Sequence, residues 1–232
     1  MHDMRSPDFD LVRSLPLFCG MDGAHFDALL AAAHLQRLPK STVLIHEGEL
    51  PDFLHIVVEG AVELYSESHR RETTIDILRP VTTFILAAVI RDEVYLKSAR
   101  TLSPSRILMI PARAVRDVFG RDAAFARAIV DELASRYRSI VRTLKDHKLR
   151  TGVERLANWI LTSEQEQGGR GRVVLGYDKR KLSARLGMTP EHLSRNLTHL
   201  TQHGVTGNGR EIVITDREAL QRYAKADPLI DG

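Results

Sequence analysis

The sequence predicts an α+β protein in three parts: an N-terminal antiparallel β-roll over residues 1–120, a long dimerisation helix over 121–149, and a C-terminal winged helix-turn-helix over 150–232. Three observations lead there. The first half carries short β-branched and aromatic runs punctuated by glycine, the mark of a small antiparallel roll or barrel. An apolar seam with a spacing of 3.5 residues follows. Beyond it, leucines recur as they do in two short helices joined by a tight glycine turn.

Taken in order, Phe26, Leu29, Leu30 and Ala33 fall at i, i+3, i+4 and i+7 and predict a helix over 22–34. After Pro39 the pattern becomes that of strands: Val43–Ile45, Phe53–Val58, Ala61–Tyr65, Thr73–Leu78 and Arg106–Ile110, with turns at Gly48 and Gly60. Pro111 stops the last strand and opens a short helix, Ala112–Phe119. Asp122 is placed to cap a helix running to Lys148. Along it, Val130, Leu133, Tyr137, Ile140 and Leu144 alternate steps of three and four. This a/d seam reads as that of a parallel homodimer helix or as the face of a long helix packed on its own domain; the flanking Arg127, Arg136, Arg138 and Arg142 favour the narrow interface of the dimer. A helix over Thr151–Thr162, a glycine loop at 168–171 and a short strand at Val173–Leu175 follow.

Lys179–Leu186, the turn Gly187-Met188 and Glu191–His203 then read as helix, turn, helix. Thr189 is the N-cap and Pro190 the first helical residue of the second helix. Leu182, Leu186, Leu193, Leu197 and Leu200 face inward, which leaves Glu191, Ser194, Arg195, Thr198 and Gln202 outward. Such residues in the first turn of a recognition helix reach base edges in the major groove. Arg195 has the fork for guanine O6/N7, Glu191 accepts from cytosine N4, and Ser194 adapts to either. Thr189, Lys179, Arg180, Lys181 and His199 are candidate contacts to the DNA backbone. Gly207-Asn208-Gly209 and Arg210–Thr215 form a two-stranded wing.

Composition agrees. Residues 1–149 hold 20 basic and 20 acidic side chains, whereas residues 150–226 hold 13 basic and 8 acidic ones, so the back domain is the part that suits a polyanion. A single cysteine, Cys19, excludes a disulfide framework and a four-cysteine metal or iron–sulfur site. No apolar run approaches the 18 residues of a membrane span. The polar start of the chain lacks the apolar core of a signal peptide, so a cytoplasmic location is the default. Enzyme classes are disfavoured: there is no P-loop, GxGxxG or triad. A metal-binding β-roll enzyme needs a His-x-His pair, and His46 and His55 stand nine residues apart.

The stretch Leu182-Ser183-Ala184-Arg185-Leu186-Gly187-Met188-Thr189-Pro190-Glu191-His192-Leu193-Ser194-Arg195 resembles the helix-turn-helix of the CRP/FNR superfamily of bacterial transcription regulators. Leu15-Pro16-Leu17-Phe18 resembles the family's opening segment. Ile45-His46-Glu47-Gly48-Glu49 and Ile56–Val62 resemble the turns of its cyclic-nucleotide-binding-like β-roll, and Gly209–Ile214 resembles its wing. Glu191, Ser194 and Arg195 match the FNR-type pattern Glu-x-x-Ser-Arg, and Pro190 stands where the cAMP-receptor type has arginine. The resemblance implies a homodimer on double-stranded DNA and a palindromic operator with TTGAT-like half-sites about one helical turn apart. It also implies RNA polymerase as a partner and no membrane association, and it leaves open whether the protein activates or represses.

The sensor is less determined. The resemblance places an effector pocket around Phe84, Ile85, Leu86, Tyr95, Lys97 and Ser98. The cyclic-nucleotide pattern of Gly-Glu followed by Arg-Ser or Arg-Thr is absent: apolar residues replace the Gly-Glu, and Asp92 and Glu93 are the nearest acids. This argues against cAMP, because a phosphate pocket without its charge partners is costly to fill. An FNR-type iron–sulfur cluster is excluded by the cysteine count. Three readings stay open: haem, as in nitric-oxide-responsive and carbon-monoxide-responsive branches, with His25, His34, His46, His55, His69 or Cys19 as axial ligand; another small apolar effector; and no effector, as in the FixK-like branch. In that last case Cys19 is a candidate oxidation switch.

Overall fold

The computed structural model describes residues 6–69 and 71–231. The chain divides into two compact units, with the boundary between Arg136 and Tyr137.

The first unit opens with α1 (Ser6–Arg13), α2 (Pro16–Cys19) and α3 (Gly23–Ala31). The Asp22 carboxylate caps α3 by accepting from the Ala24 and His25 amides at 2.8 and 3.2 Å. Eight strands follow: β1 (His34–Leu38), β2 (Val43–Ile45), β3 (Phe53–Glu59), β4 (Val62–Ser68), β5 (Arg71–Leu78), β6 (Thr82–Phe84), β7 (Ser98–Thr101) and β8 (Ser105–Pro111), with α4 (Leu86–Arg91) between β6 and β7. They form two antiparallel sheets, ordered β1-β8-β3-β6 and β2-β7-β4-β5. The β3–β4 turn requires glycine: Gly60 has φ +91°, and a Cβ there would run into Ser105 and the Pro104 carbonyl.

Strand β3 explains why the unit has two cores. Alternation sends Leu54, Ile56 and Val58 to one side, where they meet Phe18, Phe26, Leu29 and Phe125. Val57 goes to the other side, the interior of the roll, with Ile45, Val62, Leu64, Phe84, Tyr95 and Ile107. Buried on both faces, β3 reads in the sequence as an almost continuous apolar run. On β4, fully buried Glu63 is an exception that is satisfied locally: it accepts from the Thr74 hydroxyl at 2.5 Å and from Arg100 Nε at 2.8 Å. Arg100 also pairs with Glu72 and lies 4.2 Å over the Tyr65 ring.

Pro111 does end the last strand, and α5 (Ala112–Phe119) follows it. α6 (Ala123–Leu149) is the longest helix. Asp122 caps it through the Phe125 amide at 2.9 Å and also takes the Asp22 amide and His25 Nδ1, at 2.9 and 3.0 Å. The unit boundary falls within α6.

The second unit contains the end of α6, then α7 (Gly152–Glu166), β9 (Arg172–Val174), α8 (Lys179–Arg185), α9 (Pro190–Leu200), a 3₁₀ turn (Thr201–His203), β10 (Val205–Asn208), β11 (Glu211–Ile214), α10 (Arg217–Ala224) and α11 (Pro228–Asp231). Thr151 and Glu154 form a reciprocal capping box at the start of α7. The wing has three strands, not two: β9 pairs with β11, giving the order β10-β11-β9. Glu164, fully buried on α7, accepts from the Gly171 amide at 2.7 Å and pairs with Arg217, which ties α7 to the wing loop and α10. Leu156, Ile160, Val173, Leu182, Leu193, Leu200, Ile212 and Leu220 fill the core.

Candidate nucleic-acid interface and sensor interior

The helix-turn-helix is built as its leucines require. Leu182 and Leu186 of the α8 segment and Leu193 and Leu200 of α9 are buried, and Leu197 is half-buried. Helix α8 ends one residue before the expected Leu186, which is its C-cap, and α9 stops at Leu200 before the 3₁₀ turn. Gly187 adopts φ +63°, which favours glycine. Its hydrogen also faces the His147 ring, since a Cβ at 187 would lie 2.5 Å from His147 Cε1. The Thr189 hydroxyl accepts the His192 amide at 3.2 Å, and Pro190 takes the first helical position.

This leaves Glu191, Ser194, Arg195 and Thr198 exposed together on one face of α9. Glu191 is acidic beyond the ordinary: a backbone N–H and the Thr189 hydroxyl hold its carboxyl below the usual range, with Arg195 and His192 adding to the effect. Arg180 and Thr189 are exposed, and Lys179 and Lys181 half-buried. His199 is exposed but sits in an aromatic cluster, its ring 5.5 Å from Tyr223 and 5.4 Å from His203, which itself stacks on Tyr223 at 4.1 Å. A cleft of about 380 Å³ lies between the first turn of α7 and the helix-turn-helix, lined by Thr151, Gly152, Arg155, Met188, His192 and Asn196.

On α6 the expected seam divides. Val130, Tyr137, Ile140 and Leu144 are exposed at 60, 68, 66 and 56%. Leu133 is half-buried against the core of the first unit, on the side of Phe125 and Ile129.

In the roll, the six expected pocket residues do not all converge. Phe84 and Tyr95 lie in the interior core with Ile85 at its margin, whereas Leu86 turns to the core beneath the helices. Ser98 is buried and accepts the Glu47 amide at 2.9 Å. Lys97 is half-buried; burial lowers its pKa, nearby Asp76 opposes this and Arg136 adds to it. Arg136 donates to the Thr83 carbonyl at 2.9 Å. The charges nearest the cyclic-nucleotide positions are engaged elsewhere: Arg100 with Glu63 and Glu72, Asp92 with Arg116, and Glu93 with Arg91.

The histidines separate clearly. His34, His46 and His69 are exposed, as is Cys19, and His25 is held by Asp122. His55 points into the roll, 3% exposed, its ring 5.2 Å from that of Phe84, and its Nδ1 has no hydrogen-bond partner. Its position two residues before Val57 on β3 is the signal that places it inward. The surrounding space is filled by Phe84, Tyr95, Val57 and Ile107, all buried, so a porphyrin does not fit the roll as it is packed. Among the described residues, no group of three or more His, Cys, Asp or Glu side chains is placed to hold a metal ion.

Residues 35–122 match the cyclic nucleotide-binding domain family, and residues 154–223 match the Crp-like helix-turn-helix domain family. The chain belongs to the CRP/FNR superfamily of transcription regulators. The two matches leave α6 between them. The regulator is 23% identical over 215 residues to a CRP-like cAMP-activated global transcriptional regulator of Mycobacterium tuberculosis, a match covering 90% of this chain and 96% of the relative. Among solved structures, FixK2 from Bradyrhizobium japonicum superposes with a TM-score of 0.74 at 23% identity, covering 84% of this chain and 98% of that one. DNR from Pseudomonas aeruginosa gives a TM-score of 0.53 at 24% identity, covering 96% and 100%. Both share the regulator's fold. The helix-turn-helix family matched and the mycobacterial relative are those of transcription regulators, not enzymes. Among the described residues no helix is long and apolar enough to cross a membrane.

Proposed function

We propose that the regulator binds a palindromic operator with TTGAT-like half-sites as a homodimer, in concert with RNA polymerase. Residues 1–120 act as the sensor, 121–149 as the dimerisation segment and 150–232 as the DNA reader. The observation that carries this reading is the face of α9: Glu191, Ser194 and Arg195 stand exposed at its N-terminal end while Leu193 and Leu200 are buried behind them. Arg195 reads guanine, Glu191 cytosine and Ser194 an adjacent edge; Thr189, Lys179, Arg180, Lys181 and His199 hold phosphates. Titrating the dimer into a labelled palindromic duplex tests this. Arg195→Ala is expected to lower affinity by about 1–3 kcal/mol and to relax discrimination at the guanine position. Equal loss on every sequence would reduce Arg195 to a phosphate contact.

For the roll, the reading that best suits the geometry is a sensor that does not use the cyclic-nucleotide charge pair. Arg100 is already neutralised by two glutamates, and the Gly-Glu position is apolar. The cAMP activation named for the mycobacterial relative is therefore not carried over. Calorimetry with cAMP is expected to show no binding, and an affinity in the micromolar range would overturn this. A haem sensor needs the interior to repack around His55. Protein purified after expression with haem supply is expected to show no Soret band; such a band that disappears in His55→Phe would reverse this reading.

A further inference from the structure

The break between α6 and α7 is short: Arg150, whose amide still returns to the Asp146 carbonyl at 3.2 Å, and Thr151, the N-cap of α7, are all that separate the two helices. Side chains hold this short link from both sides. Arg150 is central, with its side chain only 7% exposed. Its guanidinium forks onto both oxygens of Asp231 at 2.6 Å each, and Nη1 also reaches Asp146 one turn back at 3.1 Å. A planar two-point contact of this kind fixes direction as well as distance.

Asp231 is in turn held in place. Its Oδ2 accepts the Asp227 amide at 2.7 Å, and the Asp227 carboxylate accepts the Leu229 amide at 2.8 Å. Lys145 of α6 donates to the Leu229 carbonyl at 3.2 Å. The segment Asp227–Asp231 thus lies along the last turns of α6 as a strap. From the opposite side, Arg155 of α7 donates to the Arg150 carbonyl at 2.8 Å and to the Leu186 carbonyl, at the end of α8, at 3.1 Å. His147, one turn before the break, abuts Gly187 in the helix-turn-helix turn. A contiguous chain of contacts runs from Asp231 through Arg150 and Arg155 to the residues that orient α9, all within the second unit.

We propose that Arg150, locked by Asp231, is a positioning residue for operator reading: the C-terminal segment 227–231 straps the α6–α7 break so that α9 is presented at a fixed angle to the long helix. This rests on the palindrome-reading dimer proposed above. Fixed presentation sets which half-site separations the dimer accepts. Loosening the strap lowers the fraction of molecules in the competent geometry, and affinity falls by that fraction.

The test uses the full-length dimer and two readouts. The first is amide hydrogen exchange over residues 149–156, which does not depend on DNA. The second is affinity for the palindrome and for duplexes with the half-sites moved one base pair closer or further apart. Asp231→Asn is expected to speed exchange at 149–156, to lower affinity for the proper palindrome about fivefold, and to narrow its preference over the shifted duplexes by a similar factor. Asp231→Glu keeps a carboxylate and is expected to recover part of both effects. Arg150→Lys keeps the charge but loses the fork, and is expected to behave like Asp231→Asn. Wild-type exchange and an unchanged spacing preference in Asp231→Asn would overturn the strap, as would uniform weakening on all three duplexes without faster exchange. Failure of the wild type to distinguish the palindrome from unrelated DNA would instead defeat the operator reading, with the exchange measurement still deciding the strap.

Discussion

At His55 a polar ring lies 3% exposed against Phe84, with Nδ1 unpartnered. Burial disfavours the imidazolium and outweighs the backbone hydrogen bond at Phe53, lowering the pKa to about 4 from 6.5. The unfolded chain therefore takes up a proton here as the pH falls through 6.5, while the folded chain resists until about 4. Stability is retained above that window and lost across it, by about 3 kcal/mol at this site. The carboxylates of the fold act elsewhere on the scale. Asp122, held down to about 2 by the Phe125 amide and by His25 and Asp22, contributes stability that is lost only as the pH falls below about 3.8. Urea unfolding of the whole chain at pH 7.5, 6 and 5 should show the midpoint dropping. His55→Phe, which keeps the stack on Phe84 and removes the titrating group, should flatten that trend. An equal drop in the variant would assign the pH dependence to another group.

At the scale of elements, α6 has one face committed and one waiting. Phe125 and Ile129 are buried with Leu133 beside them, yet Val130, Tyr137, Ile140 and Leu144 are more than half exposed on a seam of 3.5 spacing. Four large apolar groups in a row on solvent are explained by a second copy of the helix. Ile140→Glu removes roughly 2 kcal/mol of burial per chain and sets like charges across the seam, about 4 kcal/mol per dimer. That raises the dimer dissociation constant roughly a thousandfold. Sedimentation of the variant should give monomers; a dimer of unchanged affinity would take Ile140 out of the interface. Helices α5 and α6, the capping residues and the helix-turn-helix were legible in the sequence because they obey period or cap chemistry that is local in the chain. Strands β1 (HLQRL), β6 (TTF) and β7 (SART) were not: they are short and polar, and they exist because β8, β3, β4 and β2 offer partners. The same reason hid α4, whose apolar run Leu86–Arg91 has no distinguishing period, and the strap, whose Asp231 meets Arg150 from 81 residues away. In the site, Glu191, Ser194 and Arg195 could be placed from leucine spacing alone. The roll pocket could not, because which of two cores Leu86 and Phe84 join is set by sheet packing.

At the scale of the whole molecule, charge is distributed unequally along the chain. The balanced 20 and 20 of residues 1–149 contrast with 13 basic against 8 acidic side chains in residues 150–226, and a dimer presents the latter excess twice. A reader built this way should release counterions on binding, so that the logarithm of affinity falls linearly with the logarithm of salt, each neutralised phosphate contributing a slope of about −0.9. Base readers and phosphate holders then separate by experiment. Arg180 is exposed in the first turn of α8 and is assigned to phosphate. Its replacement by alanine should weaken binding about equally on all sequences and reduce the magnitude of the salt slope by about 2, one phosphate for each copy in the dimer. Arg195→Ala should instead alter which sequence is preferred, through a lost guanine fork. Titrating both variants against the palindrome and a mismatched duplex at four salt concentrations resolves the two roles. If Arg180→Ala keeps the wild-type slope, Arg180 stands away from the DNA backbone and the phosphate grip must come from other basic residues of the domain.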